Sequence, residues 1–97
     1  MADFILLMHD DNDDDPSPGA WEAYFAMLHA SGVFVGGSSI GEGRAYRRSG
    51  VAGPASDHLT GFIRIEASDL AAARAFLVGN PVFEGGGTVE IRELPRD

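Results

Sequence analysis

The side chains able to do chemistry in this 97-residue chain are few and scattered. Three histidines stand at positions 9, 29 and 58, and none lies at the close i, i+4 spacing that binds a metal from one helix face. His9 ends a short apolar run and is followed by Asp10, so an imidazole and a carboxylate are neighbours where a strand gives way to a loop. That makes His9 and Asp10 the candidates for acid–base catalysis. His29 falls near the C-terminus of a helical pattern, where the dipole favours an imidazolium. Arg64 lies in an alternating strand pattern, with Glu66 two residues on and Glu90 in a later strand. An arginine there pairs with Glu66, Glu90 or a partner's carboxylate, or binds a small anionic ligand. Arg64, His9, His58 and Glu90 are therefore the candidate ligand-binding residues. There is no cysteine, which excludes disulfides, thiol catalysis and thiolate metal sites.

One acidic stretch invites a metal reading. Asp11, Asp13, Asp15 and Glu22 fall at positions 1, 3, 5 and 12 of a calcium-binding loop. Position 6 is Pro16, however, where the sharp turn calls for glycine. The segment 10–15 reads instead as a solvated, mobile loop, and no metal is assigned. Ser38-Ser39 has no strand–turn–helix around it, so it is not a nucleophile elbow. Gly85-Gly86-Gly87 precedes a strand rather than a helix, so it is not a phosphate cradle. No cofactor is expected.

The elements that must position these groups follow from periodicity. Phe4 to Met8 is apolar on both alternating faces, the pattern of a strand covered on both sides. Strand one is placed at Asp3–His9. Ser17 reads as an N-cap with Pro18 at the first helical position. Trp21, Phe25 and Leu28, with Tyr24 beside them, give that helix one apolar face, and Gly32 stops it. Strand two follows from Val33, and Gly36-Gly37 within it suggest a bulge or a close backbone approach. Residues 41–57 read as a long loop or irregular hairpin carrying Arg44, Tyr46, Arg47 and Arg48. Strand three runs Thr60–Ala67. Ser68 caps helix two, whose face is Leu70, Ala73 and Leu77, widened by Phe76. Asn80 to Phe83 leads through the glycines into strand four, Thr88–Leu94.

The order β-α-β-β-α-β is that of a ferredoxin-like α+β fold: a four-stranded antiparallel sheet with two helices on one face. His58 precedes strand three, read as running beside and parallel to strand one, so it is free to approach either end of a cleft. The helices would cover Ile63, Ile65, Val89 and Ile91. The other face carries Phe62, Arg64, Glu66, Thr88, Glu90, Arg92 and an apolar set from strand one. Such a face usually packs on a partner, and the partner expected is a second copy of the chain.

Composition sets further bounds. The length is that of one domain, 1–97. The formal net charge is −8 and every cationic side chain is arginine, which argues against nucleic acid and anionic membranes. No basic leader and no apolar run of about 18 residues is present, so a cytoplasmic location is expected.

Four segments resemble the YCII-related family, including its DGPF branch: Asp3 to His9, Ala30 to Gly37, Leu59 to Glu66, and Gly79 to Leu94. The resemblance covers nearly the whole chain. It implies a dimeric α/β barrel, two sheets facing each other with a cleft between or within them. Some YCII-like proteins carry a His near the start of helix one and an Asp in an Asp-Pro pair after helix two, as an acid–base pair. Their relatives include a chloromuconolactone dehalogenase. This chain has Trp21 and Glu22 at the first place and Asn80-Pro81 at the second. It keeps Gly53-Pro54 of the DGPF signature, with Ala52 and Ala55 on either side. An amide does not exchange a proton near neutral pH, so Asn80 cannot replace the carboxylate. Family members are often encoded beside sigma factors, which implies a regulatory partner. Two functions follow: a binding or accessory module with no complete catalytic set, or a small enzyme acting on a carboxylated or lactone substrate through His9 with Asp10 or Glu90.

Overall fold

A computed structural model describes residues 1–96. Strand β1, Ala2–His9, runs through the middle of a four-stranded sheet of order β2-β3-β1-β4. The others are β2, Phe34–Ser39, β3, Leu59–Ala67, and β4, Val89–Leu94. All neighbouring strands are antiparallel, as the α+β reading requires. β3 is thus antiparallel to β1, which corrects the parallel direction expected for strand three and used to place His58. A helix returns the chain from β1 to β2, which leaves room between them for a strand of opposite direction. The N-terminal end of β3 therefore meets the C-terminal end of β1, and His9 pairs with Leu59.

Alternation decides which residues form the core. Phe4, Leu6 and Met8 point to one face, beside Ile63, Ile65 and Ala67 of β3, and all are buried. Helix α1, Ala20–Ala30, covers them with Tyr24 and Leu28. Helix α2, Leu70–Ala75, adds Ala73, and Leu77 follows it into the core. Val89 and Ile91 are half-buried and pack against the same cluster. Fully burying one leucine or isoleucine is worth about 1.5–3 kcal/mol. Leu6, Leu28, Ile63 and Ile65 are enclosed completely and form the centre of that gain. No helix of the described residues is long and apolar enough to cross a membrane.

The bulge expected at the glycines of β2 is present, as a register shift between Phe34 and Gly36. A Cβ on Gly37 would stand 2.6 Å from the Phe62 carbonyl oxygen, so that close approach needs glycine.

Other local expectations are corrected. α1 begins at Ala20, with Gly19 rather than Ser17 at the cap position; the Ser17 carbonyl accepts from Ala20 N and closes a turn first. Asp69, not Ser68, caps α2, its carboxylate accepting from Ala72 N at 2.8 Å. Leu70 is then the first helical residue and 57% exposed, so it leaves the core face. A third helix, α3, Pro81–Glu84, occupies the lead into β4. The acidic loop is pinned rather than free. Asp13 N and Asp14 N donate to Gly85 O, and Asp11 holds Thr88 by its main-chain N–H and its hydroxyl. It lies so close that a Cβ on Gly87 would stand 2.9 Å from the Asn12 Cβ. At the opposite end of the sheet, Arg96 forks onto both carboxylate oxygens of Asp3, at 2.7 and 2.9 Å.

Candidate functional site

The face of the sheet away from the helices carries the titratable groups. Side chains opposite one another across antiparallel strands share a face. Leu7 lies between Phe62 and Glu90, and Ile5 between Arg64 and Arg92. At the end of this face the strand register shifts between Met8 and His9. Backbone bonds from His9 N to Thr88 O and from Asp10 N to His58 O fix the chain there.

These bonds bring three of the sequence-derived candidates together. His9 Nε2 lies 3.1 Å from Glu90 Oε1. A carboxylate only accepts, so Nε2 carries the proton in this contact. Glu90 Oε2 accepts from Arg92 at 3.0 Å. The Arg92 bond first, and the His9 bond second, hold the Glu90 carboxyl below its ordinary range. The His58 ring meets the His9 ring edge-on, 4.8 Å between centroids. His58 reaches this end because β3 is antiparallel to β1. Asp10 enters through its backbone; its carboxylate makes no hydrogen bond among the described residues.

Of the partners open to Arg64, the two within the chain are engaged elsewhere. Glu66 is engaged by Arg96, and Glu90 by Arg92 and His9. Among the described residues Arg64 has no carboxylate within 4 Å. Asp11 and its neighbours do not gather into a metal cage; no group of three or more suitable ligands occurs among the described residues. The Asp11 carboxyl is held below its ordinary range by its bonds to Thr88, the hydroxyl first.

The concavity lies on the other side of the sheet. A cleft of about 570 Å³ opens between the start of α1, the β2–β3 pair and α3. Trp21 and Phe25 form its aromatic wall, stacked at 5.7 Å between ring centroids. Met8, Ile63 and Val82 make its floor, and Asn12, Ser38, Ser39 and Thr60 its polar rim. No ionisable side chain lines it. His9, Glu90 and Arg64 are on the opposite sheet face and do not reach it.

Asn80 is close to this cleft but not in it. The residue is fully buried. Its Oδ1 accepts from Val82 N and Phe83 N, at 3.0 and 3.1 Å, and so caps α3. Two donors on one oxygen fix the amide orientation, and Nδ2 is left without a partner. Nearby, the Tyr24 hydroxyl donates to Phe76 O at 2.7 Å. Burial pushes the Tyr24 phenol up, and the Asn80 amide opposes that shift.

The resemblance implies a cleft between or within two facing sheets; a cleft on the helix side, lined by Trp21 and Phe25, is not part of that expectation. Trp21 and Phe25 were assigned to the core by their spacing, yet both are only half-buried. The available signal was one of size: a Trp–Phe pair faces the small residues Gly37, Ser38 and Ser39, and small against large leaves a hollow.

The fold and the cleft define an α+β protein of ferredoxin-like topology. No family model matches the chain, and no curated protein matches it in sequence. Among solved structures it is similar to 5-chloro-2-hydroxyhydroquinone dehydrochlorinase (TftG) from Burkholderia phenoliruptrix AC1100, solved in complex with 2,5-dihydroxybenzoquinone. The TM-score is 0.52 at 16% identity, over 97% of this chain and 95% of that one. At this identity the likeness establishes the fold.

Proposed function

We propose that this chain is a YCII-like homodimeric protein that binds a small, flat ring compound in the cleft beside Trp21 and lacks a complete catalytic set. The observation that carries the reading is the cleft itself: stacked aromatic rings on one wall, small residues opposite, and a rim of amide and hydroxyl groups. Pockets of this size and make-up suit small ligands. The fold shared with TftG, whose structure holds a dihydroxybenzoquinone, supports the choice of ligand class. The lost chemistry is argued from Asn80 and Trp21. Asn80 spends its acceptor on capping α3, and Trp21 offers no imidazole. A positioned acid or base is worth roughly 10²–10⁴ in rate. The test is calorimetric titration with 2,5-dihydroxybenzoquinone and simple phenols. Saturable binding that is lost in Trp21→Ala supports the reading; no heat with any ring compound overturns it.

The homodimer would use the open face. Ile5, Leu7 and Phe62 supply half-buried apolar surface there, and Arg64 offers a charge for a carboxylate on the second copy. A second functional reading rests on the same Arg64 and on the His9–Glu90 contact. In it, Arg64 holds a small carboxylated or lactone substrate and His9 moves the proton. Turnover of muconolactone by the wild type, abolished in His9→Ala, would favour that enzyme. No turnover, with a slight gain in Asn80→Asp, would favour a family site that has lost its chemistry.

A further inference from the structure

Between β2 and β3 the chain leaves the sheet for residues 40–58 without forming a helix or strand. Structureless loops beyond about 12–15 residues are uncommon in compact domains, and are usually either functional loops such as lids or linker segments. From 41 to 54 no backbone group makes a hydrogen bond among the described residues. Tyr46 is 84% and Val51 91% exposed. The radius of gyration is 14.8 Å, against about 12.5 Å for a compact chain of this length. The excursion thus stands off the body, holding apolar surface and unpaired backbone in water.

Its stems place it beside the cleft. It departs just after Ser38 and Ser39 and returns just before Thr60, and all three line the cleft rim. The opposite rim is Asn12 and Pro16, within the loop that carries five aspartates between positions 10 and 15. Arg44, Arg47 and Arg48 lie on the excursion, and none has an ion-pair partner among the described residues. Asp13, Asp14 and Asp15 also lack a cation there. Unpaired cations therefore stand on the tethered segment that leaves one rim, and unpaired anions lie between the two residues, Asn12 and Pro16, that make the other, on a loop pinned to Gly85. Half of the excursion is some eight residues, a reach of about 27 Å when extended.

We propose that residues 41–57 are a lid that closes over the cleft of their own chain, the arginines meeting Asp13 to Asp15 and Tyr46 covering the opening. The structure described here is the open form. The lid gives a purpose to the cleft read above as a ring-binding site, but its closure needs no ligand.

Trp21, the single tryptophan, lines the cleft and reports on closure. The experiment is acrylamide quenching of its fluorescence without ligand, in the full chain at low and high salt. In the wild type Trp21 should be protected at low salt, and protection should be lost at 1 M salt, where charges are screened within about 3 Å. The triple variant R44E/R47E/R48E should lose it at low salt, and adding D14K/D15K should restore it. Equal quenching in the wild type at both salts overturns the lid, whether or not the variants fold. Protection that fades on dilution also overturns it, because a second copy's segment would then be the cover. No ring compound enters the measurement, so ring binding and lid closure can fail separately.

Discussion

Removing the Asn80 side chain separates a structural role from a chemical one. Its oxygen satisfies two N–H groups at the start of α3 that the helix itself cannot pair, the Val82 one buried and the Phe83 one partly so. Asn80→Ala should destabilise the fold by about 1–2 kcal/mol, the usual cost of an N-cap. Asn80→Asp keeps an acceptor in the same place and should retain most of that cap. Chemical denaturation decides it, and equal stability of wild type and Asn80→Ala would refute the cap. A second expectation concerns acid. Asp3, Asp11 and Glu90 are each held below the ordinary carboxylate range, Asp3 chiefly by Arg96, Asp11 by Thr88 and Glu90 by Arg92. A carboxylate depressed on folding adds stability that is present above its unfolded value, about 3.9–4.3. That stability is lost as pH falls through the lower folded value. The fold should therefore weaken progressively below about pH 4. Asp11→Asn and Thr88→Val should each flatten the acid limb of a stability–pH curve; an unaltered limb in both would remove Asp11 from the explanation.

Among the elements, β2 depends most on a single missing atom. A side chain at Gly37 would collide with the β3 backbone, whereas a Cβ at Gly36 meets nothing within 4 Å. Gly37→Ala should cost about 1–3 kcal/mol, the range for forced overpacking, while Gly36→Ala should be nearly silent. Equal melting temperatures for the two variants would contradict this. The same element shows what was legible beforehand. Its bulge was readable because paired glycines in a strand have few other uses. Strand and helix order was readable too, because burial imposes period 2 on Ile63 and Ile65 and a helical repeat on Tyr24 and Leu28. Helix starts were misread where two capping residues compete: Asp69 outbids its neighbour Ser68 by accepting from Ala72 N. α3 escaped notice because four residues show no period, although Asn80-Pro81 is itself an N-cap followed by proline at the first turn. The cleft was hidden for a different reason. Its lining comes from α1, β1, β2, β3, α3 and the acidic loop, and only the folded chain brings them together. The His9, His58 and Glu90 grouping was half legible, since strand order put His9 near Glu90, but strand direction had to be right to place His58.

For the whole molecule, the open sheet face bears on assembly. The proposed dimer places Ile5, Leu7 and Phe62 against their equivalents, around Arg64. A stable interface of this kind buries about 1,200–2,000 Å² in total. Phe62→Asp should put an unpaired charge into that contact and raise the dissociation constant in sedimentation experiments. A wild type that sediments as a folded monomer at micromolar concentration would dispose of the dimer. An unchanged dissociation constant in Phe62→Asp would move the contact to another face.

The fork between Arg96 and Asp3 has a topological consequence. It clasps the two edges of the described chain side by side, because β1 and β4 are neighbours running in opposite directions. The path through the sheet is therefore almost a closed ring. In a chain running from Met1 to Asp97, a few linking residues joining the two would complete it, and the ring could be cut open again at Gly50 without severing any strand or helix. Such a circular permutant should fold with the same sheet order, since its strand pairings would be unchanged. It would also halve the excursion into two loose tails, both leaving from the Ser39 and Thr60 rim of the cleft.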